Sequence, residues 1–326
     1  MDEPAGNAKG AQRAANRPVR SREAKIQKRF RSGFVTIAGR PNAGKSTLLN
    51  ALIGERLAIT AAQAQTTRTS IQGVLTGPDF QIVFIDTPGI HKSDTLFNRR
   101  MMEIVRASLD GRDVVLFMAD ATKQTGPEDE QAVSALVRSE NTILVLNKID
   151  RVADKRRLLP VIEDYRRMFS FREAIPVSAR SGEGLPELQR AIIENLPESP
   201  PLFPDDYLTD QPLRFIAGEM IRESILRVVR EEVPHAVAIL IDEWEEKPNL
   251  TRIAATIHVE RPGQKTILIG KGGNVLKKIG SAARAKIEQL VGHKVFLSLF
   301  VKVRPKWRED PEFLNAIDWR AMAGKE

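Results

Sequence analysis

Cysteine is absent from this sequence, which excludes disulfides and thiolate-bound metals and is typical of proteins from a reducing compartment. Histidine is scarce, and its four copies stand far apart: His91, His235, His258 and His293. A histidine-based zinc or catalytic site is therefore not expected. No apolar run approaches the roughly 20 residues that a membrane-spanning helix needs. A chain of 326 residues with 42% hydrophobic content instead predicts two globular domains.

The net charge of +8 is unevenly distributed. Residues 1–31 hold nine Lys and Arg against three Asp and Glu, and without apolar periodicity they are expected to form a disordered basic tail. An organelle-targeting presequence is the alternative, which the early acids Asp2 and Glu3 disfavour. Residues 265–308 hold eleven basic residues against Glu288 alone. This imbalance indicates a polyanionic partner rather than a merely solvated face.

A glycine-rich loop follows a short apolar run, Phe34–Ala38, that predicts a buried strand. The loop and the start of the next helix fit the pattern G-x-x-x-x-G-K-[ST]: Gly39, Arg40, Pro41, Asn42, Ala43, Gly44, Lys45, Ser46 and Thr47. In this pattern backbone N–H groups surround phosphates, and the helix N-terminus adds partial positive charge. Lys45 would reach the outer phosphates and the Ser46 hydroxyl would bind Mg²⁺. A glycine-rich turn without a ligand is the alternative.

A second predicted strand, Gln81–Ile85, runs into the segment Asp86, Thr87, Pro88, Gly89 and Ile90. A carboxylate at the carboxyl end of a strand is well placed to hold Mg²⁺, and the Gly89 N–H can meet a terminal phosphate. The polar loop before these strands contains Gln65-Thr66-Thr67-Arg68. One threonine of that pair is expected to support the same metal ion.

A third group of polar residues follows the predicted strand Thr142–Leu146: Asn147, Lys148, Ile149 and Asp150. One carboxylate can accept both adjacent N–H groups of guanine, whereas adenine would leave Asp150 unpaired. Lys148 would lie over the base and Asn147 would tie this loop to the phosphate loop. Further along, backbone N–H groups near Ser178 and Ala179 could meet the guanine carbonyl oxygen.

Strand–loop–helix repeats over residues 32–196 predict an α/β domain with a doubly wound, mainly parallel sheet. The motifs resemble those of translation-factor-type P-loop GTPases across this domain. The resemblance implies that Thr67, directly before Arg68, is the metal ligand. Many Ras-type relatives carry a water-orienting glutamine where this chain has Ile90, so either slow intrinsic turnover is expected or another group takes over that role. His91 is expected in a surface loop rather than as a general base.

Five prolines between Leu196 and Pro212 predict a linker of restricted flexibility over residues 197–212. A smaller α+β domain, residues 213–308, is expected beyond it, followed by a C-terminal tail, residues 309–326. The predicted elements are an amphipathic helix (Leu213–Val229), two strands (Ala236–Trp244 and Thr251–Val259), a third element (Lys265–Ile269), a helix to about Val291 and a last strand (His293–Val303).

A glycine-rich turn stands before the long helix of this second domain, where a nucleic-acid backbone could approach closely. It resembles the turn of a type II KH domain, which clamps about four nucleotides of single-stranded RNA. The candidate RNA-binding residues are Gly270, Lys271, Gly272, Gly273, Lys277, Lys278 and Arg284, with Lys286 as a further basic neighbour. Trp307 is expected to pack rather than to stack on a base.

The pairing of these two domains across a Pro-rich joint resembles the Era GTPases over roughly residues 33–308. The resemblance implies GTP and GDP as ligands, Mg²⁺ as cofactor, and K⁺ held by Asn42 in place of an arginine finger; Asn42 could instead only cap its loop. It also implies a monomer that binds small-subunit ribosomal RNA near its 3′ end and assists maturation of that subunit. Arg180 and the basic extension depart from the family pattern.

Two other functions remain open on the sequence. A membrane-associated signalling GTPase would use its basic segments to bind anionic lipid, with RNA binding incidental. A plain ATPase is disfavoured by Asn147–Asp150. A cytoplasmic location is expected, with the inner face of the cell membrane as a further site.

Overall fold

The computed structural model describes residues 29–60, 67–90, 95–136, 141–229 and 233–319. Three predictions lie outside those residues: the disorder of the basic tail up to residue 28, the loop residues Gln65 and Thr66, and the surface loop at His91. None of the described helices is long and apolar enough to cross a membrane.

The first domain is built on a six-stranded sheet with the order β2-β3-β1-β4-β5-β6. The strands are β1 (Arg31–Gly39), β2 (Ile71–Thr76), β3 (Phe80–Asp86), β4 (Val114–Asp120), β5 (Thr142–Asn147) and β6 (Glu173–Pro176). The helices are α1 (Lys45–Ile53), α2 (Leu96–Leu109), α3 (Pro127–Ser134), α4 (Leu158–Met168) and α5 (Leu185–Asn195). Every neighbouring pair of strands is parallel except β2 and β3. The predicted doubly wound, mainly parallel sheet is confirmed.

Helices cover both faces of this sheet, because alternate residues of its central strands point to opposite sides. In β4, Leu116 belongs to a core that includes residues of α1 and α5. The next residue, Phe117, belongs to a second core with residues of α2, α3 and α4. The carboxyl ends of the parallel strands therefore share one edge of the sheet, and the loops there form the crevice in which such folds bind ligands.

The second domain has the element order α6 (Leu213–Val228), β7 (Ala238–Lys247), β8 (Leu250–Val259), α7 (Pro262–Ile269), α8 (Asn274–Val291) and β9 (Lys294–Val303). β7 and β8 are antiparallel, whereas β8 and β9 are parallel. This αββααβ arrangement is the predicted type II KH fold. One core joins α6, α7 and α8 to a single face of its three-stranded sheet.

Two elements of this domain differ from their predictions. The third element is a helix, α7, that begins three residues earlier, at Pro262. The first helix, α6, is not amphipathic, because nearly all of residues 216–226 are buried, including Arg222 and Glu223. Glu223 meets ionic partners from the first domain and from α8, and Arg222 pairs with Glu219 on α6 itself, which explains why a helix with buried charges forms there.

Both ends of the globular part differ from the predicted tails. Arg31 already belongs to β1, and its guanidinium donates to the carbonyl oxygens of Glu194 (3.0 Å) and Leu196 (2.6 Å). At the other end, Pro311–Ala316 forms a helix, α9, that is capped by Asp310. Pro at the first turn and a capping aspartate are ordinary signals for a helix start.

The Pro-rich linker lies along the first domain without helix or strand, as its prolines require. The buried side chain of Gln81 accepts from the N–H groups of Leu202 (2.7 Å) and Phe203 (2.9 Å). Thr209 donates its hydroxyl to the carbonyl oxygen of Gln72 at 2.6 Å. Side-chain and backbone bonds to β2 and β3 thus hold the linker in one path.

An apolar cluster joins the two domains. Phe97 and Met101 of α2 pack against Trp307 and against Phe313 of α9. Trp307 is fully buried, its ring lies 5.4 Å from that of Phe97, and its indole N–H donates to the carbonyl oxygen of Ala236 at 3.0 Å. The prediction that Trp307 packs is confirmed, and the C-terminal segment is part of this contact.

Candidate functional site

The glycine-rich loop connects β1 to α1 and bends through left-handed backbone conformations. Gly39, Asn42 and Gly44 have φ angles of 140°, 63° and 102°. A side chain on Gly44 would collide with the amide of Asn147, so a glycine is required at the start of α1. The loop therefore keeps its backbone N–H groups close to the crevice, with α1 beginning directly behind them.

Lys45 folds back over this loop. Its ammonium donates to the carbonyl oxygens of Gly39 (3.2 Å) and Arg40 (2.9 Å), and its side chain is buried. Burial lowers the pKa of Lys45 to about 8, although the nearby Asp86 acts in the opposite direction. An anionic phosphate beside the ammonium would favour the charged form again. The geometry thus suits contact with a phosphate rather than a structural ion pair.

Three predicted magnesium ligands meet at one point. The hydroxyls of Ser46 and Thr67 both donate to Oδ2 of Asp86 at 2.8 Å, and they lie 2.7 Å from each other. Oδ1 of Asp86 is buried and has no hydrogen-bond partner among the described residues. Burial raises the pKa of Asp86, although Lys45 and the two hydroxyls oppose this effect. A cation at the free oxygen would satisfy it and stabilise the carboxylate.

The segment after Asp86 closes one side of the crevice. Thr87 donates its hydroxyl to the carbonyl oxygen of Ile37 at 2.8 Å, and the Ile90 N–H donates to the carbonyl oxygen of Gly39 at 3.1 Å. A side chain at Gly89 would collide with Pro41 of the phosphate loop. Thr87, Pro88, Gly89 and Ile90 are all buried. Ile90 offers no polar group that could orient a water molecule.

The residues predicted to bind the base assemble at the ends of β5 and β6. Asn147 donates its amide to the carbonyl oxygen of Ala43 (2.8 Å) and accepts from the Ala179 N–H (2.9 Å). It thereby ties the two loops together as predicted. Asp150 is exposed, and Oδ1 of its carboxylate accepts from the Ser178 hydroxyl at 2.8 Å. Asn147 already accepts a hydrogen bond from the Ala179 N–H. A guanine carbonyl oxygen would therefore share that donor with Asn147.

Sequence reasoning missed Asp120, which lies at the carboxyl end of β4. Its carboxylate accepts from the ammonium of Lys148 at 2.6 Å, while the same ammonium donates to the carbonyl oxygen of Asn42 at 2.7 Å. Burial alone would raise the pKa of Asp120, but hydrogen bonds from Lys148 and Thr122 outweigh it and lower the pKa. The position of Asp120 at a strand end could have identified it as a site residue, because other strand ends of this sheet also carry site residues.

Arg40 is held by two acids that sequence reasoning also missed. Its guanidinium pairs with Asp129 at 2.7 Å and with Glu128, both in the first turn of α3. Asp129 in turn accepts from the hydroxyl of Tyr165 at 2.6 Å. Through Arg40, these bonds hold the phosphate loop against the first turn of α3.

The glycine-rich turn of the second domain lies between α7 and α8. Gly270, Gly272 and Gly273 all have positive φ angles, and Lys271 is exposed. Beside the turn, Ile267 of α7 is 51% exposed and offers an apolar surface. The predicted basic residues on α8, Lys277, Lys278 and Arg284, are also exposed. The turn can therefore admit a phosphate backbone with bases against Ile267.

Lys286 does not belong to that basic surface. Its ammonium donates to Glu223 (2.9 Å) and to the Ser224 hydroxyl (3.0 Å) of α6. Glu223 is buried and also pairs with Arg227 and with Arg56 of the first domain. Lys286 therefore belongs to an ionic cluster between the domains. Its position in the sequence of α8 does not indicate this role.

Arg68 links the nucleotide crevice to the second domain. It directly follows Thr67, and its guanidinium donates to the carbonyl oxygen of Val237 at 2.5 Å. The guanidinium carbon lies 5.4 Å from the ring centroid of Phe97 and 5.9 Å from that of Trp307. Thr67, in the candidate metal cluster, is thus followed directly by Arg68, which is held between the domains.

Comparisons with known proteins found matches to both domains of the chain. A family model described as "50S ribosome-binding GTPase" matches residues 34–148, and one described as "KH domain" matches residues 232–308. GTPase Era of Geobacter metallireducens is 47% identical over 293 residues, which cover 89% of this chain and 98% of the relative. GTPase Era of a Nostoc species is 46% identical over 294 residues, covering 89% and 90%.

Solved structures agree over most of this chain. A crystal structure of Era in complex with MgGDPNP and nucleotides 1506–1542 of 16S ribosomal RNA has a TM-score of 0.86 at 40% identity, covering 89% of this chain and 99% of that one. A variant of Aquifex aeolicus Era bound to GDP and AlF4⁻ gives the same values.

The fold and the site define a P-loop GTPase domain joined to a KH domain. The two domains occur in the same order in relatives that match nearly their full length. The chain belongs to the Era family of GTPases, and its enzymatic activity is GTP hydrolysis. This decides against the ATPase alternative.

Proposed function

We propose that this GTPase is a nucleotide-controlled RNA-binding protein that contacts small-subunit ribosomal RNA near its 3′ end and assists maturation of that subunit. The observation that carries the proposal is the pair of consecutive residues Thr67 and Arg68, which joins the candidate metal cluster to the KH domain. The Era structure with MgGDPNP and 16S nucleotides supports the choice of ligands. GTP and GDP would occupy the crevice, in a monomer.

The donor set fits Mg²⁺. Ser46, Thr67 and Asp86 would hold the ion, with the unpartnered Oδ1 of Asp86 available to it. Mg²⁺ commonly binds one or two carboxylates together with substrate phosphates, and no group of three or more His, Asp or Glu side chains forms a metal cluster in the described residues. When bound, the ion supplies charge neutralisation on the outer phosphates.

The protein's own residues would position GTP rather than attack it. The loop N–H groups and Lys45 would hold the phosphates, and Gly89 would approach the terminal one. Asp150, Lys148 and Asn147 would select and orient guanine. Because Ile90 is buried and apolar, it cannot orient the attacking water, so slow intrinsic turnover is expected.

Asn42 would hold a K⁺ ion that replaces an arginine finger. Its exposed side chain stands at the open side of the phosphate loop. We expect turnover to be faster in K⁺ than in Na⁺, and an Asn42→Gly variant, which tolerates the left-handed backbone at this position, to show equal rates in both while retaining nucleotide affinity. Equal rates in the unaltered protein would remove K⁺ from the proposal.

Nucleotide state would reach the KH domain through Arg68. In GTPases the γ-phosphate and its metal ion order the switch loops, which relax after hydrolysis. If Thr67 binds the ion only in the triphosphate state, Arg68 must move with it, since adjacent Cα atoms are about 3.8 Å apart. Its contacts to Val237 and Trp307 would then change.

The test compares RNA affinity in the GDPNP and GDP states, with the 3′ segment of 16S RNA as probe. Arg68→Ala should make the two affinities equal without loss of GDPNP binding. Arg112→Ala is the matched control, because that guanidinium lies 5.3 Å from the Phe34 ring, wholly within the first domain. Gly272→Asp should weaken RNA binding in both states, since it places a carboxylate beside the phosphates. Affinity that is independent of nucleotide in the unaltered protein would overturn the coupling.

An anionic membrane surface would be a second partner, because residues 1–31 carry nine basic residues. Removal of residues 1–28 should then abolish cosedimentation with phosphatidylglycerol vesicles and leave RNA affinity unchanged. Cosedimentation that persists would rule out this segment as the contact. A cytoplasmic location, in part at the inner face of the membrane, remains the prediction.

A further inference from the structure

The outer face of the KH sheet carries two exposed aromatic side chains on one strand. In β9, Val295 and Val301 point toward the helices and are buried. The alternate residues point away from them: Lys294, Phe296, Ser298, Phe300 and Lys302. Phe296 is 59% exposed and Phe300 is 55% exposed. This strand thus pairs a buried aliphatic face with a face of lysine and phenylalanine.

The exposure of these rings is unusual for this molecule. Of the large apolar side chains that are exposed in the described part of the chain, only Phe296 and Phe300 are aromatic. They lie four residues apart on one face, which places them about 13 Å from each other along the strand. Exposed apolar surface of this kind marks a contact with another molecule more often than it marks a stable isolated surface.

Charge on the same face indicates which molecule that is. Lys294 and Lys302 flank the two rings, and Arg252 of β8 lies directly across from Phe296. On the far strand, β7, Glu245 is in register with Arg252, and Glu243 is in register with Ala254, which pairs with Ser298 of β9. A polyanion is therefore attracted along β9 and repelled from β7. Rings interleaved with lysines suit single-stranded nucleic acid, whose bases stack on aromatics while phosphates meet the cations.

This face can be reached from the glycine-rich turn. Gly280, which lies beyond the turn in the first half of α8, is close to Leu299, since a Cβ there would be 3.5 Å from the Leu299 side chain. Because β9 begins directly after α8 ends, this contact places the carboxyl-terminal half of β9 on the side of the turn. Phe300 is the next residue, on the opposite side of β9. Because β9 is the edge strand of its sheet, a chain that leaves the turn can pass around that edge to the outer face. It would meet Phe300 before Phe296.

We propose that the β9 face, defined as Lys294, Phe296, Phe300 and Lys302, is a second RNA-binding surface that stacks unpaired bases leaving the groove beside the glycine-rich turn. The inference rests on the proposed RNA-binding function and adds a site to it. The turn holds about four nucleotides, and the β9 face binds the nucleotides that follow.

The test is a length series of RNA from the 3′ segment of 16S RNA, measured by fluorescence anisotropy. A core of about four nucleotides fills the groove, and extensions of about four and ten nucleotides are added at either end. Extension at one end should raise affinity. Phe300→Leu should remove the gain from the short extension, and Phe296→Leu only the added gain from the long one. Each should weaken binding of the longest RNA by about 10-fold and leave the core unaffected.

Three controls separate stacking from other effects. Phe300→Trp should keep the gain, because a larger ring still stacks. Leu159→Ala, which alters a side chain of the first domain that is 64% exposed, should change nothing. Lys302→Gln should reduce the slope of log affinity against log salt by about 0.7 for the longest RNA alone, whereas Lys278→Gln should reduce it for every RNA.

The possible failures are distinguishable. If extension brings no gain, or if the Phe→Leu variants keep it, the β9 face does not bind RNA, while loss of core binding in Gly272→Asp would still support the proposed function. If those variants bind every RNA normally but no longer sediment with isolated small subunits, the face docks a protein and the inference is overturned. If the core RNA itself does not bind, both the proposed RNA-binding function and the proposed β9 face are rejected.

Discussion

Asp150, which we propose selects guanine, is held in position by a neighbouring side chain. The Ser178 hydroxyl already holds Oδ1 of its carboxylate at 2.8 Å, so the group is oriented before any base arrives. Lys148 is fixed in the same way by Asp120 at 2.6 Å. An oriented acceptor loses little conformational entropy when it binds, which favours selectivity for the correct donor pattern.

Asp150→Asn should exchange guanine preference for xanthine preference. An amide presents a donor where the carboxylate accepted, and xanthine has a carbonyl where guanine has an amino group. We expect GTP affinity to fall by about 100-fold and XTP affinity to rise. Competition binding of GTP and XTP measures both. An Asp150→Asn variant that still prefers GTP would place the base elsewhere.

Single elements of this protein are held by buried charge as well as by apolar packing. On α6, Glu223 is fully buried and is bonded to Lys286 of α8, to Arg227 and to Arg56 of the first domain. Burial raises the pKa of Glu223, but these cations outweigh it and the pKa is lowered overall. The carboxylate is thus the shared partner of three cations from three different segments.

Glu223→Gln should lower the free energy of unfolding by about 3–5 kcal/mol, because it leaves the largely buried ammonium of Lys286 without a counter-charge. Glu288→Gln is the control; its carboxylate is partly exposed and lies 3.8 Å from Lys294, so the loss should stay under about 1 kcal/mol. Urea denaturation measures both. Adding Lys286→Met to Glu223→Gln should restore part of the loss, and equal losses for the two Glu→Gln variants would contradict the argument.

His258 of β8 makes the contact between the KH sheet and α9 sensitive to pH. Its ring meets Phe313 at 4.7 Å. Burial lowers the pKa of His258 below 6.5, Arg304 and Lys302 lower it further, and Asp242 opposes them. The native state therefore keeps the ring neutral at a pH where the unfolded chain would bind a proton.

It follows that stability is full above pH 6.5 and falls as the pH drops from 6.5 toward the lower pKa of the native state. His258→Gln removes this titration, so the difference in unfolding free energy between the two proteins should shrink below pH 6.5. Denaturation between about pH 5 and 7.5 measures it. A difference that is constant across that range would mean that the pKa is not lowered.

At the scale of the whole molecule, the two domains share an apolar cluster that neither could bury alone. Phe97 comes from α2, while Trp307 and Phe313 come from the chain after the KH sheet. The Pro-rich linker adds bonds along β2 and β3. The domains should therefore unfold together.

Phe97→Ala should split a single calorimetric transition into two, since it removes the first domain's aromatic ring from the shared cluster. Phe80→Ala is the matched control: Phe80 is also 8% exposed but lies in the core of the first domain. This control should lower the free energy of unfolding by about 3–5 kcal/mol, as is typical of such truncations, and should leave a single transition. A single transition for both variants would show that the cluster does not couple the domains.

Much of the site could be predicted because its residues lie in short motifs after strands. The loop from Gly39 to Ser46 and the segment at Asp86 needed only local patterns, and parallel strands bring their carboxyl ends together. The structure accordingly places Ser46, Thr67 and Asp86 within hydrogen-bonding distance. Asp120 was missed because one aspartate after a strand is no motif.

Local sequence patterns were sufficient to predict the two folds and the crevice, because apolar periodicity, glycine positions and strand-end polar residues act over a few residues each. Long-range packing, in contrast, determines that Arg68 reaches Val237, that Lys286 turns inward to Glu223, and that α9 packs on Phe97. These contacts join segments far apart in the chain. Their partners are chosen by which surfaces pack together and exclude water, and no local pattern records that choice.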